Sequence, residues 1–458
     1  MNFTPVSHLP GIIWPAISNN QASLAMAIQF QLSQSEWWTT EEIIKKQMEQ
    51  LRPLLQHAYR NCQFYQELYR SMGFRPKHLL TPALWQNVPI VTRENIQNAG
   101  DKLISKNVPA QHGEPTKVST SGSTGREITV LSNQVTQLFN RAHNLRDHLW
   151  QKRNLRGKLA AIRLSGSSLD KPKATPPNGI VANSWGVSTD IYKTGSSALL
   201  DISANIDEQL HWLVKQNPEY LLTYPSNLAA LLDKMAKNKI TLDRLLQVRS
   251  LGEIVKPDLR KRCLEILGVP LVDAYSCQEI GCLALQCPDN EHYHIQSESV
   301  LLEVLNDGNQ PCKPGEIGRV VVTSLHNYAT PLIRYEIGDL AEVGNQCTCG
   351  RGLPVINQIM GRVRNLLTYP NGEKRWPFFG SASFKEIANI QQFQFIQTAL
   401  NQIEVHLVVQ EPLDAQQKIS FTQLLHKNLG YDFKLVFHYH EEIKRTAGGK
   451  FEDFISKI

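Results

Sequence analysis

The middle of the chain alternates short apolar runs with helical patterns, and this alternation limits the folds open to it. The runs KLAAIRL, EYLLTY, VPLVDAY and GRVVVTS have the length and composition of buried strands. The stretch PSNLAALLDKMAKN, which follows the second run, has helical periodicity, and we expect Ser226 to cap that helix. Strands that alternate with helices predict a layered α/β architecture.

The two ends of the chain have other patterns. Near the start, EEIIKKQMEQLRPLLQHAYRNCQFYQELY predicts an amphipathic helix, which Pro53 should kink or restart. Near the end, QIEVHLVV and DFKLVFHYH alternate apolar and polar residues as strands do. A helical stretch lies between these two strands and stops at Gly430. The last part of the chain is therefore predicted to be a small α+β unit.

The length of the chain requires more than one domain. With 458 residues, it is too long for one compact core. The turn-rich segment GRVRNLLTYPNGEKRWP separates the α+β end from the rest. We therefore predict a large α/β domain over residues 1–361 and a small α+β domain over residues 362–458.

Composition and charge exclude several classes of protein. The chain has 48 Lys and Arg against 42 Asp and Glu, a net charge of +6, without a dense basic run, so no nucleic-acid or membrane partner is predicted. It has no apolar stretch of membrane-spanning length, and its N-terminus lacks the basic start of a signal peptide. We therefore expect a cytoplasmic protein with reduced cysteines.

One segment, TSGSTG at Thr120–Gly125, combines hydroxyl side chains with glycine. Gly122 and Gly125 permit backbone conformations in which successive N–H groups point inward and bind an anion. The hydroxyls of Thr120, Ser121, Ser123 and Thr124 add donors, so the segment is a candidate loop for the phosphates of ATP. It lacks the lysine pattern of P-loop ATPases. Taken alone, it is also compatible with an ordinary surface loop.

Further motifs accompany this segment in a fixed order. They are LWQNVPIVTRENI at 84–96, SLGEIV at 250–255, DAYSCQEIG at 273–281, TPLIRYEIGDL at 330–340, GRVRN at 361–365 and RTAGGKFEDF at 445–454. Together they resemble the phenylacetate–CoA ligase-like branch of the acyl-adenylate-forming (AMP-binding) superfamily, which includes CapK-like and coenzyme F390 synthetase-like proteins. The resemblance extends over nearly the whole chain. It implies an AMP-binding α/β domain and a small, mobile C-terminal domain.

The resemblance also implies roles for individual residues. It assigns Mg²⁺ binding to Glu279 and transition-state charge stabilisation to the catalytic Lys450. The nucleotide contacts that it implies are Thr120, Ser121, Gly122, Ser123, Thr124, Gly125, Gly252, Glu253, Tyr275, Ser276, Gln278, Asp339 and Arg362. Tyr275 would stack on adenine, and Asp339 would accept the ribose hydroxyls. Each residue alone also has an ordinary interpretation, as a surface acid, a turn residue, a core aromatic or a solvated lysine.

Two positions depart from the family pattern. Arg126 stands where relatives usually have a lysine after the phosphate loop, which keeps the charge and alters its geometry. Arg364 stands at the hinge position, which is often acidic in relatives. The second departure bears on the transfer step rather than on adenylation.

Four residues in two segments have the composition of a zinc site. Cys287 and His294 lie in LQCPDNEHYHIQ, and Cys347 and Cys349 lie in GNQCTCGRG, so residues 287–349 enclose an inserted segment that resembles a zinc site. Thiolates and imidazole suit tetrahedral Zn²⁺. Reduced free thiols on turns are the alternative. The other histidines scatter along the sequence.

The chain is therefore predicted to be an AMP-forming ligase that uses ATP, Mg²⁺ and coenzyme A to activate a carboxylic acid. An amine or a carrier-protein thiol is the alternative acceptor, and a non-catalytic nucleotide-binding protein is a second alternative. Candidate walls of an aryl or acyl pocket are Trp185, Tyr224 and Ala274. The sequence leaves the acid and the oligomeric state open.

Overall fold

The protein divides into two units, which are described separately. A computed structural model describes residues 4–76, 80–119, 128–166, 172–185, 190–362, 365–375, 377, 379, 384–446 and 449–458. The first unit is Met1–Met360 and the second is Gly361–Ile458. The boundary predicted from sequence lies one residue later in the chain.

The first unit contains nine α-helices among its described residues. They are α1 (Asn20–Ser35), α2 (Thr40–Asn61), α3 (Gln63–Ser71), α4 (Pro82–Trp85), α5 (Arg93–Ala99), α6 (Gln134–Trp150), α7 (Ile206–Gln216), α8 (Pro225–Asn238) and α9 (Pro257–Leu267). Short 3₁₀ helices cover Gly100–Leu103 and Ala110–His112. Helix α2 continues through Pro53, so the helix does not restart there, and the alternative, a kink at Pro53, stays a prediction. The break comes at Cys62, whose extended backbone separates α2 from α3.

A mostly parallel sheet forms one layer of the first unit. Its strands are β3 (Leu159–Arg163), β4 (Ile180–Ala182), β5 (Ser197–Asp201), β6 (Tyr220–Thr223), β7 (Gln247–Ser250) and β8 (Leu271–Val272). Their order is β4-β5-β3-β6-β7-β8, and only the edge strand β4 runs antiparallel to its neighbour. The connections through α7, α8 and α9 confirm the α/β alternation predicted from sequence.

A second sheet in the first unit has seven strands. They are β9 (Ala274–Cys277), β10 (Gly281–Gln286), β11 (Tyr293–Ile295), β12 (Val300–Leu305), β13 (Ile317–Ser324), β14 (Tyr335–Val343) and β15 (Val355–Arg362). Their order is β12-β13-β14-β15-β11-β10-β9. Strands β1 (Thr116–Ser119) and β2 (Thr129–Ser132) form a separate antiparallel pair. Helices α2 and α3 contribute to the same hydrophobic core as the seven-stranded sheet.

A single residue, Asp273, joins the two sheets. It lies between β8 of the parallel sheet and β9 of the seven-stranded sheet. Its Oδ1 accepts a 2.6 Å hydrogen bond from Ser250 on β7, and its Oδ2 accepts one of 2.8 Å from Tyr293 on β11. Its backbone N–H donates to Gln286 on β10 at 2.8 Å. Burial raises the pKa of this carboxyl, and the two hydroxyl donors counteract that rise by stabilising its charged form.

The second unit is a small sheet with helices against it. Its elements are β16 (Leu367–Thr368), β17 (Lys374–Arg375), α10 (Phe384–Ile387), β18 (Ile390–Ala399), β19 (Gln402–Val409), α11 (Ala415–Leu429), β20 (Lys434–Tyr439) and β21 (Phe454–Ser456). The main sheet has the order β20-β19-β18-β21. Helix α11 ends at Gly430, whose φ of +68° suits glycine, as predicted. Among the described residues, the helices of both units are too short or too polar to cross a bilayer.

Candidate active site

The predicted phosphate loop, Thr120–Gly125, lies outside the described residues. The strands on either side of it are described, and they pair with each other: Ser119 on β1 lies opposite Thr129 on β2. The assignment of Thr120, Ser121, Gly122, Ser123, Thr124 and Gly125 to phosphate binding therefore stays a prediction.

The loop after β7 contains two of the predicted nucleotide contacts. Gly252 has a φ of +73°, a backbone conformation that residues other than glycine rarely adopt. The Oε2 atom of Glu253 accepts a 2.9 Å hydrogen bond from the backbone N–H of Ser226 in the first turn of α8. The predicted capping role of Ser226 is wrong, because α8 begins at Pro225 and has Tyr224 at its N-cap position without a side-chain cap. Glu253 supplies the acceptor instead.

Tyr275 and Asp339 come together in the seven-stranded sheet. The phenolic O–H of Tyr275 on β9 donates a 2.7 Å hydrogen bond to Oδ2 of Asp339 on β14. Both residues are buried. Three strands separate β9 from β14 in the sheet order, a distance of about 19 Å across a flat sheet. The sheet therefore curls strongly, and this curl places the two motifs side by side.

The remaining residues of the DAYSCQEIG motif lie on β9, in the turn after it and at the start of β10. Ser276 and Gln278 are exposed, and the side chain of Glu279 is only 7% exposed. The Nη1 atom of Arg93, the first residue of α5, lies 3.4 Å from Oε1 of Glu279. Sequence reasoning missed Arg93 as a site residue, although it lies in the quoted LWQNVPIVTRENI motif.

Arg334 fixes the segment that leads to Arg93. It is 2% exposed and has a φ of +46°. Its Nη1 donates to the backbone carbonyls of Gln86 (2.9 Å) and Val88 (2.6 Å), and its Nε and Nη2 donate to the two carboxylate oxygens of Glu303. The TPLIRYEIGDL motif therefore provides both Asp339 and the anchor of the LWQNVPIVTRENI motif.

The three candidate walls of the substrate pocket lie in different parts of the core. Trp185 packs beside Leu155 and Tyr220, and its indole N–H donates to Gly157 O at 2.9 Å. Tyr224 belongs to the core of the parallel sheet, and Ala274 packs against a separate cluster that contains Trp150. The structure thus does not group Trp185, Tyr224 and Ala274 in one apolar cluster, and their role in acid binding stays a prediction.

Arg362 and Lys450 belong to the second unit. Arg362 is the last residue of β15, a strand that begins in the first unit and crosses the boundary at Gly361. Lys450 lies in the loop before β21, where its backbone N–H donates to Oγ1 of Thr446 (3.2 Å) and its carbonyl accepts from the Thr446 N–H (2.8 Å). These bonds close a tight turn around Gly449, whose φ is +77°. The backbone of Lys450 is therefore held in place within its own unit.

The four predicted zinc ligands converge at one point. One ligand atom each from Cys287, His294, Cys347 and Cys349 lies within 4.8 Å of the other three. The Sγ atoms of Cys287 and Cys347 are 3.8 Å apart, which matches the separation of about 3.8 Å for two sulfurs on one tetrahedral zinc. The Sγ of Cys349 lies 3.4 Å from Nε2 of His294. A neighbouring histidine, His292, lies outside this set, with its Nε2 3.0 Å from Cys347 Sγ.

The His294 imidazole is in the form that binds a metal, whereas the Cys347 thiol would have to lose its proton when a metal binds. The Nδ1–H of His294 donates to the carbonyl of Leu353 at 3.2 Å, which directs the lone pair of Nε2 toward Cys349. Burial lowers the pKa of His294 to about 4, so its ring is neutral at pH 7. Burial raises the pKa of Cys347 to about 12. The pKa of Cys349 is lowered, although burial raises it, because Arg351 donates to its sulfur.

Known proteins resemble this chain over most of its length. Residues 370–457 match the family model described as CapK C-terminal domain. Protein CapK of Staphylococcus aureus is 22% identical over 442 residues, which cover 91% of this chain and 90% of that protein. The phenylacetate–coenzyme A ligase of Thermus thermophilus is 24% identical over 71% of this chain and 72% of its own. Over this length the chain is similar to CapK and to phenylacetate–CoA ligases. The family resemblance predicted from the motifs is thus confirmed.

A solved structure shows the same fold. The 2-hydroxyisobutyryl-CoA ligase in complex with 2-HIB-AMP superposes with a TM-score of 0.72 at 19% identity, over 93% of this chain and 92% of that one. The predicted class, a multi-layer α/β fold followed by a small α+β unit, is thereby confirmed.

Proposed function

We propose that this protein is an AMP-forming ligase that activates a carboxylic acid with ATP and transfers the acyl group to coenzyme A. The observation that carries the proposal is the hydrogen bond between Tyr275 and Asp339. It joins the two motifs to which the family resemblance assigns adenine and ribose. Relatives named as acyl- or aryl-CoA ligases support the same reaction.

The nucleoside would lie against Tyr275 and Asp339. The ring of Tyr275 offers a flat face for adenine, while its hydroxyl orients the Asp339 carboxylate. A carboxylate with two acceptor oxygens suits a ribose with two O–H donors. The glycine at 252 lets the backbone approach the base closely.

The triphosphate would extend from there toward Glu279 and the predicted phosphate loop. Mg²⁺ in nucleotide sites is bound by one or two carboxylates together with phosphate oxygens and water, and the largely buried Glu279 fits that requirement. The ion would neutralise charge on the phosphates when bound. Arg93, next to Glu279, supplies a second positive charge for the same phosphates.

The reaction would proceed in two steps. In the first, a carboxylate oxygen of the acid attacks the α-phosphorus, and pyrophosphate leaves with the electron pair of the broken P–O bond. Lys450 would stabilise the negative charge on the reacting oxygens. In the second, the sulfur of coenzyme A attacks the acyl carbon, its proton passes to solvent, and AMP leaves.

The Cys287–His294–Cys347–Cys349 cluster is proposed as a structural zinc site. Four protein ligands leave no open position for a substrate, which is typical of structural sites. An ion there would tie the β10–β11 hairpin to the loop between β14 and β15. In elemental analysis, Cys347→Ser should lower the zinc content by about one ion per chain, whereas Cys312→Ser should leave it unchanged. A zinc content near zero in freshly purified protein would reject the site.

The proposed ligase activity is tested by acid-dependent exchange of pyrophosphate into ATP, measured with aryl, fatty, amino and sugar acids. At least one acid class should support exchange, and coenzyme A should then release AMP in proportion to thioester formed. The absence of exchange with every acid would favour a non-catalytic nucleotide-binding protein.

Exchange without a response to coenzyme A would point to a different acceptor, an amine or a carrier-protein thiol. One observation favours keeping this alternative. The match to Protein CapK, whose name states no acceptor, covers 91% of the chain, whereas the match to the Thermus phenylacetate–CoA ligase covers 71%.

A further inference from the structure

A cluster of imidazole and carboxylate groups lies on the sheet of the second unit. Glu404 and His406 lie on β19, His438 lies on β20, and one ligand atom from each lies within 4.8 Å of the others. The two histidines are 32 residues apart in the sequence, so no local motif indicates a site. Histidines that are scattered along the sequence are thus brought together here by strand pairing.

The pairing of the two strands creates the cluster. Strands β19 and β20 are parallel, and His406 lies directly opposite His438. Glu404 is two residues before His406, so its side chain is on the same face of the sheet. The opposite face carries Ile403, Val405 and Leu407, which are buried in the core against α11. The three polar side chains therefore share the face away from that core.

The hydrogen bonds of His406 match those of a metal ligand. Its Nε2 lies 3.2 Å from Oε2 of Glu404, and its Nδ1 lies 2.8 Å from Nε2 of His440. A cation can take the place of the proton between Nε2 and the carboxylate, and His440 would then accept from Nδ1–H and orient the ring. His440 thus stands where metal-binding histidines usually have a supporting partner.

A second observation points to a missing ligand. The Nε2 atom of His438 is buried and has no hydrogen-bond partner within the part of the chain that the structure describes. Buried polar nitrogens are nearly always bonded, so this atom calls for a partner. The site is reachable for an ion, because the side chains of Glu404 and His406 are 28% and 18% exposed.

We propose that Glu404, His406 and His438 form a second transition-metal site, separate from the cysteine cluster, that binds a zinc-type divalent ion. Two imidazoles and one carboxylate suit Zn²⁺ and leave a fourth position for water. Ligand atoms on one zinc are about 3.3 Å apart, so rotation of the three side chains would draw them together on binding. Calcium and magnesium, which prefer oxygen ligands, are disfavoured.

The test uses untagged, full-length protein and Co²⁺ as a spectroscopic substitute for zinc. Cobalt bound to the cysteine cluster gives a thiolate charge-transfer band, whereas cobalt bound to imidazole and carboxylate does not. The wild-type protein should bind one equivalent without that band. His406→Gln and His438→Gln should each weaken the affinity of this site for Co²⁺ by more than ~100-fold. His440→Gln should weaken it by about 10–100-fold.

A matched control is available in the same unit. His426 on α11 bonds to the carbonyl of Phe433, and His426→Gln should keep the equivalent that lacks the thiolate band. Circular dichroism checks the fold of each variant, and Glu404→Gln provides a further ligand change on a partly exposed residue. The proposal is overturned if the wild-type protein binds no such equivalent, or if the variants of all three ligands retain it.

Discussion

The hydroxyl of Tyr275 and the carboxylate of Asp339 are joined by a 2.7 Å hydrogen bond across a sheet in which three other strands separate them. This bond fixes the carboxylate proposed to receive the ribose. Hydrogen bonds to a charged acceptor contribute about 1.5–3 kcal/mol, so their loss is measurable in nucleotide binding.

Tyr275→Phe should therefore raise the KM for ATP by about 10–100-fold in the pyrophosphate exchange assay, with a smaller change in kcat. The ring stays available to adenine, and only the orientation of Asp339 is lost. Tyr69→Phe is the matched control, because the Tyr69 hydroxyl is buried without a partner within the described ranges. An unchanged KM for ATP in Tyr275→Phe would contradict the ribose role of Asp339.

Lys450→Ala should slow adenylation by about 10²–10³-fold and leave ATP affinity nearly unchanged, because the proposed role of its charge is to stabilise the transition state. Pyrophosphate exchange measures the rate, and equilibrium titration measures ATP binding. Lys457→Ala, an exposed lysine on the same segment, serves as the control. Equal exchange rates in the two variants would remove Lys450 from the mechanism.

Arg334→Ala should destabilise the protein by about 3–5 kcal/mol, because it leaves the largely buried Glu303 without its partner. It should also lower activity, since the carbonyls of Gln86 and Val88 lose the donor that positions the segment before Arg93. Urea denaturation gives the free energy of unfolding. Lys46→Ala removes an exposed ion pair with Glu49 and should cost less than about 1 kcal/mol. Similar losses in both variants would refute the structural role of Arg334.

The free energy of unfolding should fall as the pH is lowered from about 6.5 toward 4. Burial lowers the pKa of His143 to about 3 and that of His326 to about 4, so the unfolded chain takes up protons in this range before the folded one does. His143→Gln should make the decline shallower in urea denaturation at a series of pH values. His211→Gln, at an exposed position, should keep the wild-type slope. Parallel curves for His143→Gln and the wild-type protein would show that His143 does not cause the decline.

The sequence predicted the layers of the fold better than the contacts between them. Buried strands such as β6 and β13 are continuous apolar runs, so their pattern is visible locally. The cap of α8 could not be predicted from residue type alone. Ser226 has the residue type of a cap, but the helix starts at Pro225, and Glu253 from another loop accepts the hydrogen bond. A restart of the helix at Pro53 does not occur for a related reason, because packing of α2 in the core keeps the helix continuous.

For the candidate site as well, the sequence predicted the residues better than the contacts between them. The order of the motifs predicted Tyr275, Glu279 and Asp339 as one group, but their contacts depend on the curl of the sheet and on Arg93 from a distant helix. The cluster at Glu404, His406 and His438 depends on the register of a parallel strand pair, which leaves no local pattern.

The position of Asp273 between the two sheets limits the substitutions that this protein can accept during evolution. Because its two carboxylate oxygens accept from one hydroxyl on each sheet, the segment after Ser250 and the segment after Ala274 share one reference point. A substitution that shifts either sheet would move the segments proposed to bind the base and the ribose relative to each other. Substitutions that change the acid preference are therefore expected in loops distant from Asp273. Asp273 and its hydrogen-bond partners should tolerate few substitutions.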